Sequence, residues 1–240
     1  MPCFVVTVSL KAAAKKGRPD LLNDIESALG GAIAPNLTAK SQGADLYEAY
    51  IWSLVVEAAR SEGASISFWN VLGSQVTTDF IFRTSPGNIF STAQPYSYAL
   101  ISFPNCPDLE AHVGIFVAGK SGVAHECDVA VLYSDEAYTC RQKNAHPRSS
   151  QVLLAVECKF YVQSSMGIGL ARSFLGLTTE IMQNARFFVG VSESERVEAL
   201  FAHHNKKWET GVSPIDGKRR DLRLKGDFER VFRDFIRKET

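Results

Sequence analysis

A chain of 240 residues, 45% hydrophobic and 22% charged, has the composition of an ordinary globular protein. It is long enough to bury one sizeable core, as one large domain or one domain with extensions. Its 26 basic and 26 acidic residues cancel, which leaves a nucleic-acid partner open because local charge distribution decides that, while no apolar run reaches the ~20 residues of a membrane-spanning helix.

The first stretch, MPCFVVTVSLKAAAKKGR, puts its apolar part ahead of its charges, the reverse of a secretory signal, so a cytoplasmic protein is expected. The run CFVVTVSL reads as a short strand followed by a basic turn. A helix is expected over 19–29, closed by Gly30 and Gly31, and a loop over 31–43. From Asp45 the pattern DLYEAYIWSLVVEAARSEG is strongly helical. Leu46, Tyr47, Tyr50, Ile51, Leu54, Val55 and Ala58 form one apolar stripe, and Gly63 ends it. Glu48 and Glu57 stand at opposite margins of that stripe. Residues 64–118 then give four expected strands, ASISFWNVL, TTDFIFRTS, YSYALISF and EAHVGIFVAG, separated by proline and glycine turns. Arg83, in FIFRTSPG, is either a phosphate contact or a surface residue at a strand end.

Two apolar, β-branched runs follow, HECDVAVL (125–132) and LLAVECKFY (153–161), each carrying charge where a buried strand stays apolar. Side chains alternate along a strand, so Glu157 and Lys159 share a face with Ala155 and Tyr161. Val152, Leu154, Val156, Cys158 and Phe160 are expected to form a continuous apolar face on the other side. If the two runs pair, Asp128, Glu157 and Lys159 converge, a costly burial of charge unless a cation and a substrate use it. Glu126 is expected to face away from Asp128 and is read as structural. His125, at the strand entrance, is read as a structural histidine in preference to a phosphate contact. The connection YSDEAYTCRQKNAHPRSSQ holds Arg141, Lys143, His146 and Arg148, and reads as a basic loop able to clamp a polyanion.

Beyond Lys159, the helical stretch 168–181 and the strand-like ARFFVGV make a strand–helix–strand unit, hence a parallel crossover. GIGLAR, with Gly167 and Gly169, lacks the third small residue and the distal acid of a dinucleotide loop, and that assignment is rejected. A short helix is expected over 194–203, a loop through Gly217, and a final amphipathic helix from about Asp227 to Lys238. The five cysteines are odd in number and lack CxxC spacing. His125, Cys127, Cys140 and His146 lack the spacing of a structural zinc site, so free, mostly buried thiols are expected.

A glutamate on a helix (Glu48), an aspartate on a strand (Asp128) and a glutamate–any–lysine triplet on the next strand (Glu157, Lys159) resemble the PD-(D/E)XK nuclease superfamily. The resemblance covers roughly 45–190; Cys127 stands where a proline commonly precedes the aspartate. It implies an α/β fold, a restriction-endonuclease-like core with a mixed central sheet flanked by helices. A single nuclease domain would then fill 1–240, with a core over about 45–190. The N-terminal strand/helix extension is 1–42 and the C-terminal helical extension 194–240. It also implies that Asp128 and Glu157, with the Cys158 carbonyl, hold Mg²⁺, with Mn²⁺ able to substitute. Lys159 would orient the nucleophile or stabilise the phosphate, and Glu48 would hold a second metal or anchor the first. Hard divalent cations take few protein carboxylates plus water and phosphate oxygens, which suits this donor set. Arg172, Arg141, Lys143, Arg148 and Arg83 are the expected backbone contacts.

The expected function is therefore a Mg²⁺-dependent DNA endonuclease, by family analogy a prokaryotic restriction or anti-phage effector. With no separate sequence-reading module evident, specificity would come from DNA shape, a homo-oligomer or a larger defence complex. The alternative is a catalytically inactive nucleic-acid-binding or scaffolding protein on the same fold, set against by the intact charged set. A small-molecule enzyme using Cys127 or Cys158 as nucleophile is weaker, because Cys158 is expected in the apolar face.

Overall fold

The computed structural model describes residues 22–27, 42–77, 79–161, 166–181, 185–213 and 219–240. The strongest helical pattern forms α1 (Gly43–Ser61), but the apolar stripe is only part of its buried surface. Ala49, Trp52, Val56 and Ala59 are buried as well. A helix apolar all round must be covered all round, and α1 lies between the sheet and the last helix, α5 (Arg220–Glu239). Trp52 Nε1 donates to the Ala111 carbonyl at 3.0 Å, and the Tyr47 hydroxyl to the Val212 carbonyl at 3.2 Å, tying α1 to strand and loop. The helix α5 offers Leu224, Phe228, Val231, Phe232 and Phe235 to it, beginning seven residues before the expected start.

The sheet has seven strands in sequential order: β1 (Ser65–Asn70), β2 (Ser97–Ser102), β3 (Leu109–Ala118), β4 (Ala124–Tyr133), β5 (Val152–Lys159), β6 (Arg186–Gly190) and β7 (Lys207–Thr210). From β1 to β5 the pairing is antiparallel; β5, β6 and β7 run parallel. The parallel steps are crossovers through α3 (Ile168–Glu180) and α4 (Glu195–His203). On one face the sheet packs against α1 and α5. On the other, Ala130, Leu132, Val152 and Ala155 meet Ala137 and Cys140 of α2 (Ser134–Lys143), while Phe188 meets Phe174 of α3 and Phe201 of α4. The molecule is thus an α/β protein with a mixed sheet flanked by helices. Among the described residues no helix is long and apolar enough to cross a membrane.

Several expectations change. TTDFIFRTS is not a strand: its described residues form no ladder, Ile81 instead exchanging hydrogen bonds with the amide and hydroxyl of Ser97 at 2.8 and 2.9 Å. Phe80 and Phe82 are buried instead as plugs against Phe68 and Trp52. The connection after β4 is not a loop but α2, with Asp135 and Glu136 in its first turn, Arg141 and Lys143 in its last, and a left-handed Asn144 at its end. The loop expected after 203 contains β7. The apolar face of β5 is not continuous, because the register shift around Leu153 sends Val152 to the opposite cluster from Leu154, Val156 and Cys158. The expected strand CFVVTVSL lies outside the described residues, as does most of the helix expected over 19–29, of which 22–27 is helical. The loop expected over 31–43 also lies outside, except that Gly43 opens α1.

Candidate active site

The strands β4 and β5 pair only from Leu132 with Val152 to Val129 with Val156, and then part. Gly114 of β3 stands between Val113, paired with Val129, and Ile115, paired with Cys127, which places it across from Asp128. Its φ of +61° is a conformation that favours glycine and turns β3 locally. Where the β4–β5 ladder stops, Asp128 takes over with its side chain. Its Oδ2 accepts the Cys158 amide at 2.6 Å, so the first unpaired donor of β5 is satisfied by a carboxylate. Lys159 Nζ lies 2.5 Å from Glu157 Oε1 and 3.7 Å from Asp128 Oδ2. Asp128 is 5% exposed; the Glu157 and Lys159 side chains are about one-fifth exposed, at 22% and 20%.

Burial, then the neighbouring Glu157 charge, hold the Asp128 pKa above the usual carboxylate range, against the pull of Lys159 and the Cys158 amide. Burial works against the Lys159 charge, but Asp128 and Glu157 outweigh it and raise the ammonium pKa. Glu48, on α1, reaches the same field. Its pKa is pushed up to about 8, first by burial, then by Asp128 and Glu126. Glu126 does not face away. Its carboxyl is raised by burial and by Glu157 and lowered by Lys159, so it belongs to the same group of charges. The expectation misapplied the strand period, since a spacing of two returns a side chain to the same face. Asp128 and Glu157 therefore hold one ammonium between them, with Glu48 and Glu126 near enough to feel the same charges.

The expected basic contacts are mostly committed elsewhere. Arg141 grips Glu110 of β3 with two bonds of 2.7 and 2.8 Å, and Arg148 pairs with Glu136 at 2.6 Å. Arg83 is 6% exposed, stacked 3.8 Å over Tyr96 and donating to the Asn88 carbonyl. It is neither a surface residue nor placed to meet a backbone phosphate. Lys143 and Arg172 are exposed, on α2 and in the first turns of α3. His125 Nε2 lies 3.6 Å from Glu180, which accepts the amide and hydroxyl of Ser121 at 2.9 and 2.8 Å. The Cys127 and Cys158 thiols are buried and their pKa values pushed up by that burial, the opposite of what a nucleophile needs.

Family models, curated proteins and solved structures gave no match. The site therefore stands on its own chemistry. Among the described residues no three His, Cys, Asp or Glu side chains converge as a ligand set. Asp128 Oδ2 and Glu157 Oε1 do, however, both lie within 3.7 Å of the one Lys159 ammonium, on the same side of the site. Mg²⁺ needs only one or two carboxylates, the rest being water and phosphate, so Asp128 and Glu157 fit a hard cation.

Sequence reasoning missed a second charged set. Glu110 and His112 also stand two apart on a strand, and both are buried, at 1% and 3%. Glu110 accepts Arg141 and, at 3.0 Å, the Ser134 hydroxyl, and lies 2.9 Å from His112 Nε2. Its pKa falls to about 2: burial opposes the charge, and the hydrogen bonds from Arg141 and His112 outweigh it. The same strand signature here marks a closed polar network that anchors α2 on the sheet.

Proposed function

We propose that this chain is a metal-dependent endonuclease that hydrolyses DNA phosphodiester bonds, on a restriction-endonuclease-like core. The observation that carries the proposal is the convergence of Asp128, Glu157 and Lys159 where β4 and β5 part. A structural salt bridge needs one acid and one base; here one lysine is shared by two acids, Asp128 buried and Glu157 partly so, at a cost that a bound cation would offset. Asp128 and Glu157 would hold Mg²⁺, which supplies an acidified water and charge stabilisation when bound. Lys159, released from Glu157, is placed to hold a phosphate oxygen or orient the attacking water. Glu126 would add negative charge that favours the cation, while Glu48, with its pKa pushed up to about 8, is largely neutral until a cation draws its proton away. Asp128, fixed by the Cys158 amide, keeps its orientation throughout. Lys143 and Arg172 are the cations left to meet a DNA backbone.

The setting proposed is a restriction or anti-phage effector in the cytoplasm, acting as a homo-oligomer or within a larger complex that supplies specificity. Nicking of supercoiled plasmid with Mg²⁺ and with EDTA tests the activity. Cleavage that depends on the metal is expected; none on any DNA or RNA substrate would refute the enzyme, and DNA retention without cleavage would leave a binding protein.

A further inference from the structure

Phe160 directly follows Lys159, and its ring lies on Gly43 at the start of α1. A Cβ on Gly43 would stand 2.1 Å from Phe160 Cε1 and 2.8 Å from Cδ1 and Cζ. No real side chain tolerates that approach, so the ring and the helix are in contact only because residue 43 has no side chain. No left-handed backbone asks for glycine there: Gly43 is the buried first residue of α1 and does not have a positive φ. Phe160 is partly buried, and on its inner side the ring has no room to retreat. It packs on Tyr47, with centroids 5.6 Å apart, and Tyr47 is 1% exposed and bonded through its hydroxyl to the Val212 carbonyl.

The two sides of this contact carry the two sides of the site. Gly43 lies in the same helix as Glu48, little more than one turn before it. Phe160 is bonded to Lys159 at the end of β5. We infer that Gly43 is a positioning residue: by admitting the Phe160 ring it sets the approach of α1 to β5, and so the placement of Glu48 against Asp128 and Lys159. The inference rests on the nuclease proposal. A methyl at position 43 must displace the ring, and wherever rotation of that side chain against Tyr47 falls short, the strand end with Lys159 or the helix with Glu48 moves as well. Displacements of about 1 Å in a catalytic set cost on the order of a hundredfold in rate.

The test uses the full chain and supercoiled plasmid with saturating Mg²⁺, with Mn²⁺ binding followed by calorimetry and stability by thermal unfolding. Gly43→Ala is expected to lower kcat about tenfold or more with KM little changed. Gly43→Ala/Phe160→Leu is expected to regain most of kcat, because the smaller side chain yields the space. Ile101→Val, buried on β2 and two strands away from β4, serves as a variant of reduced stability and is expected to keep kcat. The inference is overturned if Gly43→Ala cuts like the wild type, if the double variant is no faster than Gly43→Ala, or if Ile101→Val loses as much kcat. Should Gly43→Ala fail to fold, the double variant against Phe160→Leu alone decides: equal kcat supports the inference, and a tenfold deficit overturns it. A wild type that neither binds Mn²⁺ nor cuts DNA removes the nuclease proposal and this inference together. A wild type that does both, with Gly43→Ala unaffected, removes the inference alone.

Discussion

Replacing Arg141 by methionine strips the cation from a buried carboxylate while keeping much of the side chain's bulk. The Glu110 side chain is 2% exposed and Arg141 holds it by two short hydrogen bonds. The fall of the Glu110 pKa from 4.5 to about 2 corresponds to roughly 3 kcal/mol of stability at neutral pH. Removing one partner of a buried ion pair costs ~3–5 kcal/mol by the general rule, so the two routes agree. Set against a total of ~5–15 kcal/mol for a folded domain, the variant should remain folded but weakened. A Tm lower by about 6–12 °C follows for a domain of this size.

The pH dependence fixes the sign. The folded-state pKa of Glu110 lies below the unfolded one, so its contribution is complete above pH 4.5 and is lost as pH falls toward 2. His112 adds an earlier loss, because burial holds its pKa below 6.5 and the unfolded chain takes up a proton the folded chain refuses. Urea unfolding at neutral pH and at steps down to about pH 3 separates the two windows. Arg141→Met should lose ~3 kcal/mol at neutral pH and show a flatter decline below pH 4.5. A loss of less than ~1 kcal/mol would refute the reasoning, as would an acid limb identical to the wild type.

Asp128→Ala and Lys159→Ala should each abolish Mg²⁺-dependent nicking while retaining DNA in a mobility-shift assay; loss of folding in both would point to a structural role. Glu126→Gln should raise the Mg²⁺ midpoint of cleavage about fivefold, the effect of removing one nearby charge in partly screened surroundings; an unchanged midpoint would separate Glu126 from the site. Trp52→Ala should destabilise the fold by ~3–5 kcal/mol in urea unfolding, since it empties a fully buried indole site between sheet and helix.

What the sequence made legible was set by the length of each pattern. The helix α1 was readable from Leu46 to Ala58 because a stripe repeated over several turns. HECDVAVL and LLAVECKFY were readable as partners because charge stands out in apolar runs, and the structure does bring Asp128, Glu157 and Lys159 together. KWET was not readable as β7, because four residues carry too little pattern and their pairing comes entirely from β6. The helix α2 was hidden for the opposite reason: only Glu136, Ala137 and Cys140 are buried, and Arg141 within it and Arg148 just beyond it looked free. Their partners are Glu110, which precedes Arg141 by 31 positions, and Glu136; the first is invisible to any local reading. Phe80 and Phe82 announced a strand, yet apolar content alone does not provide a neighbouring edge. Glu126 was misplaced by arithmetic rather than by any lack of signal.

The seating of α1 between sheet and α5 has a consequence for synthesis. Its sheet side is covered by strands made soon afterwards, but its other side waits for Phe228, Val231 and Phe232, about 170 residues further on. At about 5–20 residues per second, that interval lasts on the order of ten to thirty seconds. Until then a strip of Tyr, Val and Leu lies open on the nascent chain, and the helix that bears Glu48 has no backing. The domain that emerges from the ribosome is closed by its last helix, so a truncated product carries the acidic strands but not a fixed Glu48.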